Sequence, residues 1–122
     1  MTTKVQGTNG IEFPDGSVQS SAALTAFIGA NQSLATNGYQ KLPGGLIVQW
    51  GYTAEGGEPW TVTLPVAFPT SCVSVQCTLT MPDPGSSVTI AVQDITASSF
   101  KINRLDVGAT TVPPTLWIAI GY

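Results

Sequence analysis

Histidine is absent from this chain, and only four side chains, Lys4, Lys41, Lys101 and Arg104, are cationic. The first absence removes the ordinary Ser-His and Cys-His nucleophile pairs, the imidazole acid or base, and every zinc set that contains His. The second removes the basic patch that would neutralise phosphates. With a net charge of −3, nucleic acid and anionic membrane surfaces are not expected partners. Charged residues of both signs make up 9% of the 122 residues, against about 25% in an ordinary soluble domain. Thr, Ser, Gln and Gly stand in their place. A chain this neutral is expected to hide part of its surface in an assembly, since buried interface cores are depleted of charge; a Thr/Ser-rich monomer surface is the alternative. No uninterrupted apolar run approaches the roughly 20 residues of a membrane helix. Met1 to Gln6 also lacks the apolar core of a signal peptide. Membrane insertion is therefore not expected, and synthesis in a cytoplasm is.

The remaining reactive side chains carry little chemistry. Cys72 and Cys77 are the two cysteines, and their odd spacing in a strand-like run puts them on opposite faces, too far apart to bridge. Both are expected to be reduced, buried and free of metal. The carboxylates are Glu12, Asp15, Glu55, Glu58, Asp83, Asp94 and Asp106. A glycosidase needs two of them across a sugar at about 5 to 10 Å. Glu55 and Glu58 share one Gly-rich loop, which leaves such a pair, and with it a carbohydrate-active depolymerase tip, as a third reading, while loop solvation is the better explanation of both. Gly44-Gly45 and Gly56-Gly57 lack the surroundings of a phosphate-binding loop. The expectation is a protein that is not an enzyme and takes no cofactor.

What is present reads as one compact domain with an appendage. Pro14-Asp15-Gly16 between Phe13 and Val18 is a turn signal that predicts a short hairpin, with Pro setting φ and Gly accepting a positive one. Residues 21–35 are the only candidate helix. Leu24, Phe27, Asn31 and Leu34 fall at spacings of three, four and three, a seam that could serve as a trimerisation stub or as a connector packed on the domain. Leu42-Pro43-Gly44-Gly45 marks the boundary, because Pro43 cannot donate to a ladder. From Leu46 the period is two. Val73, Val75, Cys77, Leu79 and Met81 share one face, and similar alternation appears in Leu46-Val48-Trp50, Val62-Leu64, Val88-Ile90-Val92, Phe100-Ile102 and Leu116-Ile118-Ile120-Tyr122. Turn residues separate these runs, which predicts an all-β, antiparallel β-sandwich. The expected division is an attachment arm over 1–20, a brief helical linker over 21–42 and the sandwich over 43–122.

Three segments carry a resemblance. Gly38-Tyr39-Gln40-Lys41-Leu42-Pro43-Gly44-Gly45-Leu46-Ile47-Val48-Gln49-Trp50-Gly51, Leu64-Pro65-Val66-Ala67-Phe68-Pro69-Thr70-Ser71-Cys72 and Trp117-Ile118-Ala119-Ile120-Gly121-Tyr122 resemble, in this order, the landmarks of a receptor-binding domain that closes many bacteriophage tail fibres. The arm segment Ile11 to Gln19 is similar to pieces that recur in the shafts and attachment regions of such fibres. The resemblance implies a homotrimeric fibre protein of the virion, made in the host cytoplasm. Its arm would hold another virion protein of the tail or baseplate, and its sandwich would bind a bacterial surface glycan or outer-membrane protein. Adhesion would be multivalent, weak single sites being joined through effective concentration. A structural or decoration fibre without receptor contact is the alternative.

The candidate contact residues follow from side-chain type. Tyr52, Glu55, Glu58 and Trp60 combine aromatic faces that stack on sugars with carboxylates that accept from hydroxyls. Asp83, with Ser86 and Ser87, and then Asn103, Arg104 and Asp106, are expected in further polar loops. Against these stand plainer readings: Trp60 as a core anchor opening a strand, Tyr52 as a packed strand end, and the others as solvated turns. Trp50 and Trp117 are expected in the core or between subunits.

Overall fold

The computed structural model describes residues 4–6, 10–19, 26–54, 58–80, 87–106 and 113–122. In chain order the strands are β1 (Lys4–Gln6), β2 (Gly10–Glu12), β3 (Val18–Gln19), β4 (Gln32–Ser33), β5 (Gly38–Lys41), β6 (Ile47–Thr53), β7 (Trp60–Thr63), β8 (Cys72–Leu79), β9 (Val88–Gln93), β10 (Ser99–Asp106) and β11 (Thr115–Gly121). The strand pairs are antiparallel. They form a three-stranded sheet β1-β2-β3, a three-stranded sheet β7-β10-β9 and a five-stranded sheet β4-β5-β6-β11-β8. The fold is all-β, as the alternation implies.

In the arm, the turn at Pro14-Asp15-Gly16 joins β2 to β3. Phe13 N–H donates to Ser17 O at 2.8 Å, and Gly16 N–H closes the turn on Phe13 O at 2.9 Å. Gly16 takes a φ of +83°, which a side chain would disfavour. Asp15 accepts from the Ser17 hydroxyl at 2.6 Å and from its N–H at 3.0 Å. Those two bonds, the hydroxyl first, hold the Asp15 carboxyl below its ordinary pKa.

The five-stranded sheet and the β7-β10-β9 sheet face one another across a single core. Ile47, Trp117 and Ala119 meet Val62, Phe100 and Ile102, with Leu64 and Phe68 from the connection between β7 and β8. Phe100 and Trp117 pack edge to face with centroids 5.4 Å apart and ring planes at 75°. Such a pair contributes about 0.5–1.5 kcal/mol beyond its burial.

Two expectations from the sequence are corrected, and a facing that it left open is decided. Where a linker helix was expected, the described residues hold a 3-10 turn at Gly29–Asn31 followed by β4. Gly29 has a φ of +66°, and Gln32 and Ser33 pair with Gln40 and Tyr39 at the sheet edge. Strand pairing outweighs a weak helical periodicity. Leu24 lies outside the described residues, while Leu34 is 75% exposed, so no apolar seam joins it to Phe27. The sheet thus takes in residues that were assigned to the linker.

Alternation left open which face of β6 and β11 turns inward. In β6 and β11 the inward residues are Ile47, Gln49, Gly51 and Thr53, and Thr115, Trp117, Ala119 and Gly121. Val48, Trp50, Leu116, Ile118 and Ile120 turn outward instead. The indole of Trp117 lies directly over Gly51, its register partner, where a Cβ would overlap the ring. Only glycine fits that inward position. Gln49, fully buried, donates to Val66 O at 2.7 Å and accepts from Val66 N–H at 3.0 Å. Its amide completes the hydrogen bonding of a connection that no strand pairs.

The second correction lies in β8. Ser74 pairs with Ile120, but Cys72 pairs with Gly121, so Val73 is an extra residue. Such a bulge shifts the parity of everything beyond it. Val73 is 62% exposed, and Cys72 and Cys77 both pack toward the core instead of on opposite faces. Both thiols are free.

Candidate functional site

Strand register gathers the connections at one end of the sandwich. Thr53, closing β6, lies across from Thr115, opening β11, and Thr115 lies across from Leu79, closing β8. In the smaller sheet Asp106 closes β10 opposite Val88, which opens β9. The strand ends that bound connections 54–59, 80–87 and 107–114 therefore lie together. The opposite end carries the 42–46 turn and Gly121, and the chain enters the large sheet there, because Gln32 lies beside Gln40 and Lys41 beside Ile47.

Arg104 sits beneath the loop end. It is 2% exposed, on the inward face that Phe100 and Ile102 share. Its Nε donates to Glu58 Oε1 at 2.5 Å, and its backbone N–H donates to Glu58 Oε2 at 2.9 Å. Nη1 donates to Pro113 O at 2.7 Å, to Thr115 Oγ1 at 3.3 Å and to Ala54 O at 3.4 Å. One guanidinium thus holds the bases of two connections. Thr80 adds the third, with its N–H and its hydroxyl each 2.9 Å from Pro114 O. Arg104 Nη2 and Trp117 Nε1 are buried without a hydrogen-bond partner among the described residues. Burial pushes the Cys77 thiol up to about 11, and the Arg104 charge opposes that rise.

The sequence-predicted residues distribute unevenly around this end. Glu55, Asp83 and Ser86 lie outside the described residues. Glu58 is present but committed, its side chain 15% exposed in the ion pair. Trp60 opens β7 and packs against the core. Asn103 is exposed on the outer face of the smaller sheet, beside Ala91. Arg104 and Asp106, expected in a polar loop, belong to β10. Tyr52, 41% exposed, stands on the outer face of the five-stranded sheet opposite Leu116. The structure brings Glu58 and Arg104 together and spreads Tyr52, Trp60 and Asn103 over different faces.

That outer face was not anticipated. Leu116 and Ile118 are 48% and 41% exposed, and the outward side chains pair across strands as Leu116 with Tyr52, Ile118 with Trp50 and Ile120 with Val48. A shallow groove of about 180 Å³ runs beside them, lined by Gln76, Thr78, Leu116, Trp117 and Ile118. The signal was legible as alternation, which left open the face it turns to, with Trp50 expected in the core or between subunits. Arg104 was legible too, since Phe100, Ile102 and Arg104 recur with period two. Its partner Glu58, 46 positions away, was not. Among the described residues no cluster of His, Cys, Asp and Glu could hold a metal, and no helix is long and apolar enough to cross a membrane.

Comparison with known proteins gives the same architecture a context. The family described as "Putative tail fiber protein gp53-like, C-terminal" matches residues 41–122. Among solved structures, an N-truncated R1-type pyocin tail fibre is similar at 29% identity and a TM-score of 0.61, over 81% of this chain and 90% of that one. An N-truncated R2-type pyocin tail fibre is similar at 25% identity and a TM-score of 0.63, over 88% of this chain and 45% of that one. A Pseudomonas aeruginosa R1 pyocin fibre is similar at 26% identity and a TM-score of 0.62, over 94% of this chain and 36% of that one. The chain spans less than half the length of the last two. No curated protein sequence matches it.

Proposed function

From the premise that the chain belongs to the gp53-like tail-fibre C-terminal family, we propose that this tail-fibre protein is the host-attaching tip of its fibre. It binds a bacterial surface glycan or outer-membrane protein through the loop end of the sandwich. The observation that carries this reading is the convergence of the strand ends that bound connections 54–59, 80–87 and 107–114 at one end, opposite the end where the chain enters the large sheet. Loops on a rigid scaffold are where binding residues concentrate. Glu55, Asp83 and their neighbours belong to these loops. The arm over residues 1–20 holds another virion protein, and residues 43–122 form the receptor-binding unit.

The same reading assigns the outer face of the five-stranded sheet to a homotrimer. A monomer rarely exposes a contiguous apolar patch of this kind, and Trp50, Leu116, Ile118 and Ile120 supply one. Three sites held together strengthen weak contacts through effective concentration. The test is saturable binding of labelled protein to intact host cells, with mass measured by light scattering in the same preparation. Changing Glu55 and Asp83 to Ala is expected to lower binding at unchanged mass. Leu116→Lys with Ile118→Lys is expected to lower the mass to that of one chain. Loop variants that lose assembly and keep no separate binding defect would favour a structural fibre instead.

A further inference from the structure

Among the described residues at the loop end, one cation is buried. Arg104 is buried, fixed on a central strand of the smaller sheet, and its hydrogen bonds go to two connections that are far apart in sequence. Through Glu58 and Ala54 O it holds the connection between β6 and β7. Through Pro113 O and Thr115 Oγ1 it holds the one between β10 and β11. Glu58 accepts from both the guanidinium and the Arg104 N–H, so the strand and the loop are clasped at two points.

We infer that Arg104 is a positioning residue of the binding site: the buried Arg104–Glu58 pair fixes Ala54, Glu58 and Pro113, the bases from which the loops that meet the host surface spring, relative to one another. This rests on the function proposed above for that end. The chemistry favours a positioning role over direct contact. A guanidinium has a rigid fork whose donors fix direction as well as charge. Here Nε and Nη1 are spent on carbonyl, hydroxyl and carboxylate groups at the loop bases, Nη2 is buried without a partner among the described residues, and a side chain 2% exposed is out of reach of a ligand. Loops that are pre-ordered bind without the entropic cost of ordering at the moment of contact.

Glu58→Gln removes the charge and keeps the shape, and Arg104→Lys keeps the charge and removes the fork. Both are to be measured on the full chain by three readouts: assembled mass, binding to host cells, and amide hydrogen exchange. Glu58 touches 107–114 only through Arg104 among the contacts described. A local role would therefore confine faster exchange to 54–59. The inference expects Glu58→Gln to speed exchange in 54–59 and 107–114 together, with strands β6, β10 and β11 still protected. It also expects binding to fall about tenfold or more at unchanged mass, the scale of one charged hydrogen bond. Faster exchange in 54–59 alone, or unchanged binding by a variant of a wild-type protein that does bind, would overturn it. Should Arg104→Lys fail to fold, Glu58→Gln decides. A wild-type chain that binds no cell would count against the proposed function, while the exchange data would still report on the coupling.

Discussion

Gln49 offers the sharpest test of how this core is held. Its side chain is fully buried and makes two hydrogen bonds, 2.7 Å to Val66 O and 3.0 Å from Val66 N–H. Replacing it with Leu keeps the volume but strands both backbone groups of Val66. Each unmet buried group costs about 1–3 kcal/mol. Val66 is half-buried, so the lower part of that range applies, and the sum is about 2–4 kcal/mol. At about 4 °C per kcal/mol for a domain of this size, the expected loss of Tm is about 8–16 °C, measured at fixed protein concentration because assembly shifts apparent stability. Gln49→Glu adds an internal control. A protonated Glu accepts from Val66 N–H and donates to Val66 O, as the amide does. An ionised one cannot donate and is a buried charge. Its folded pKa is thus raised above the unfolded value of about 4.3. The stabilisation is complete below that value and is lost as pH rises through the raised folded pKa. A Leu variant within about 1 kcal/mol of wild type, or a Glu variant whose stability ignores pH, would refute the reasoning.

Two further outcomes follow from the core. With the Cys77 thiol raised to about 11 from 9.0 by burial, Cys77 of the native protein at pH 8 is expected to react with a thiol reagent about a hundredfold more slowly than free cysteine, since the thiolate attacks, read site by site from Cys72 by peptide mapping, and both thiols should react in denaturant. By linkage, Cys77 adds stability up to pH 9.0 that is lost between there and about 11; native labelling as fast as in denaturant would contradict this. Gly51→Ala forces a methyl into the Trp117 ring and Asn37 Oδ1, an overpacking of about 1–3 kcal/mol or more. It is expected to lower Tm and weaken the near-ultraviolet circular dichroism of Trp117, and an unchanged spectrum and Tm would refute the close approach.

Alternation from Leu46 on was enough to find β6 to β11 and the antiparallel sandwich, because period two is a property of the strand itself, but not the short edge strands β4 and β5. It was not enough to say which face turns inward. Choosing between Val48-Trp50 and Ile47-Gln49 for the core requires knowing that Trp117 arrives across from Gly51 and that Gln49 satisfies Val66. Both are contacts between distant segments. The bulge at Val73 was equally hidden, and it alone reversed the facing expected for Cys72 relative to Cys77. At the site, the inward period of Phe100, Ile102 and Arg104 could have removed Arg104 from the loop candidates. No local pattern could have chosen Glu58 over Glu55 as its partner, since the two carboxylates differ only in where the chain returns.

The low charge of the chain acquires a location once the facing of β6 and β11 is known. An antiparallel sheet commonly keeps one face wet and polar, yet the five-stranded sheet carries Trp117, Ala119 and Ile47 on one face and Trp50, Leu116 and Ile118 on the other. Its central strands are apolar on both sides. In a closed assembly of identical chains the subunits are related by rotation. On the proposed function, copies meeting through this outer face about a common fibre axis would carry every loop end toward the same end of the fibre. Assembly and recognition then use different parts of the sandwich. The sheet face is set by residues in β6 and β11, whereas the loops are set by what Arg104 and Thr80 hold at their bases. A loop sequence can change above those anchors without altering either the core or the face through which copies pack. That separation is what a host-attaching tip needs when the surface it must recognise changes.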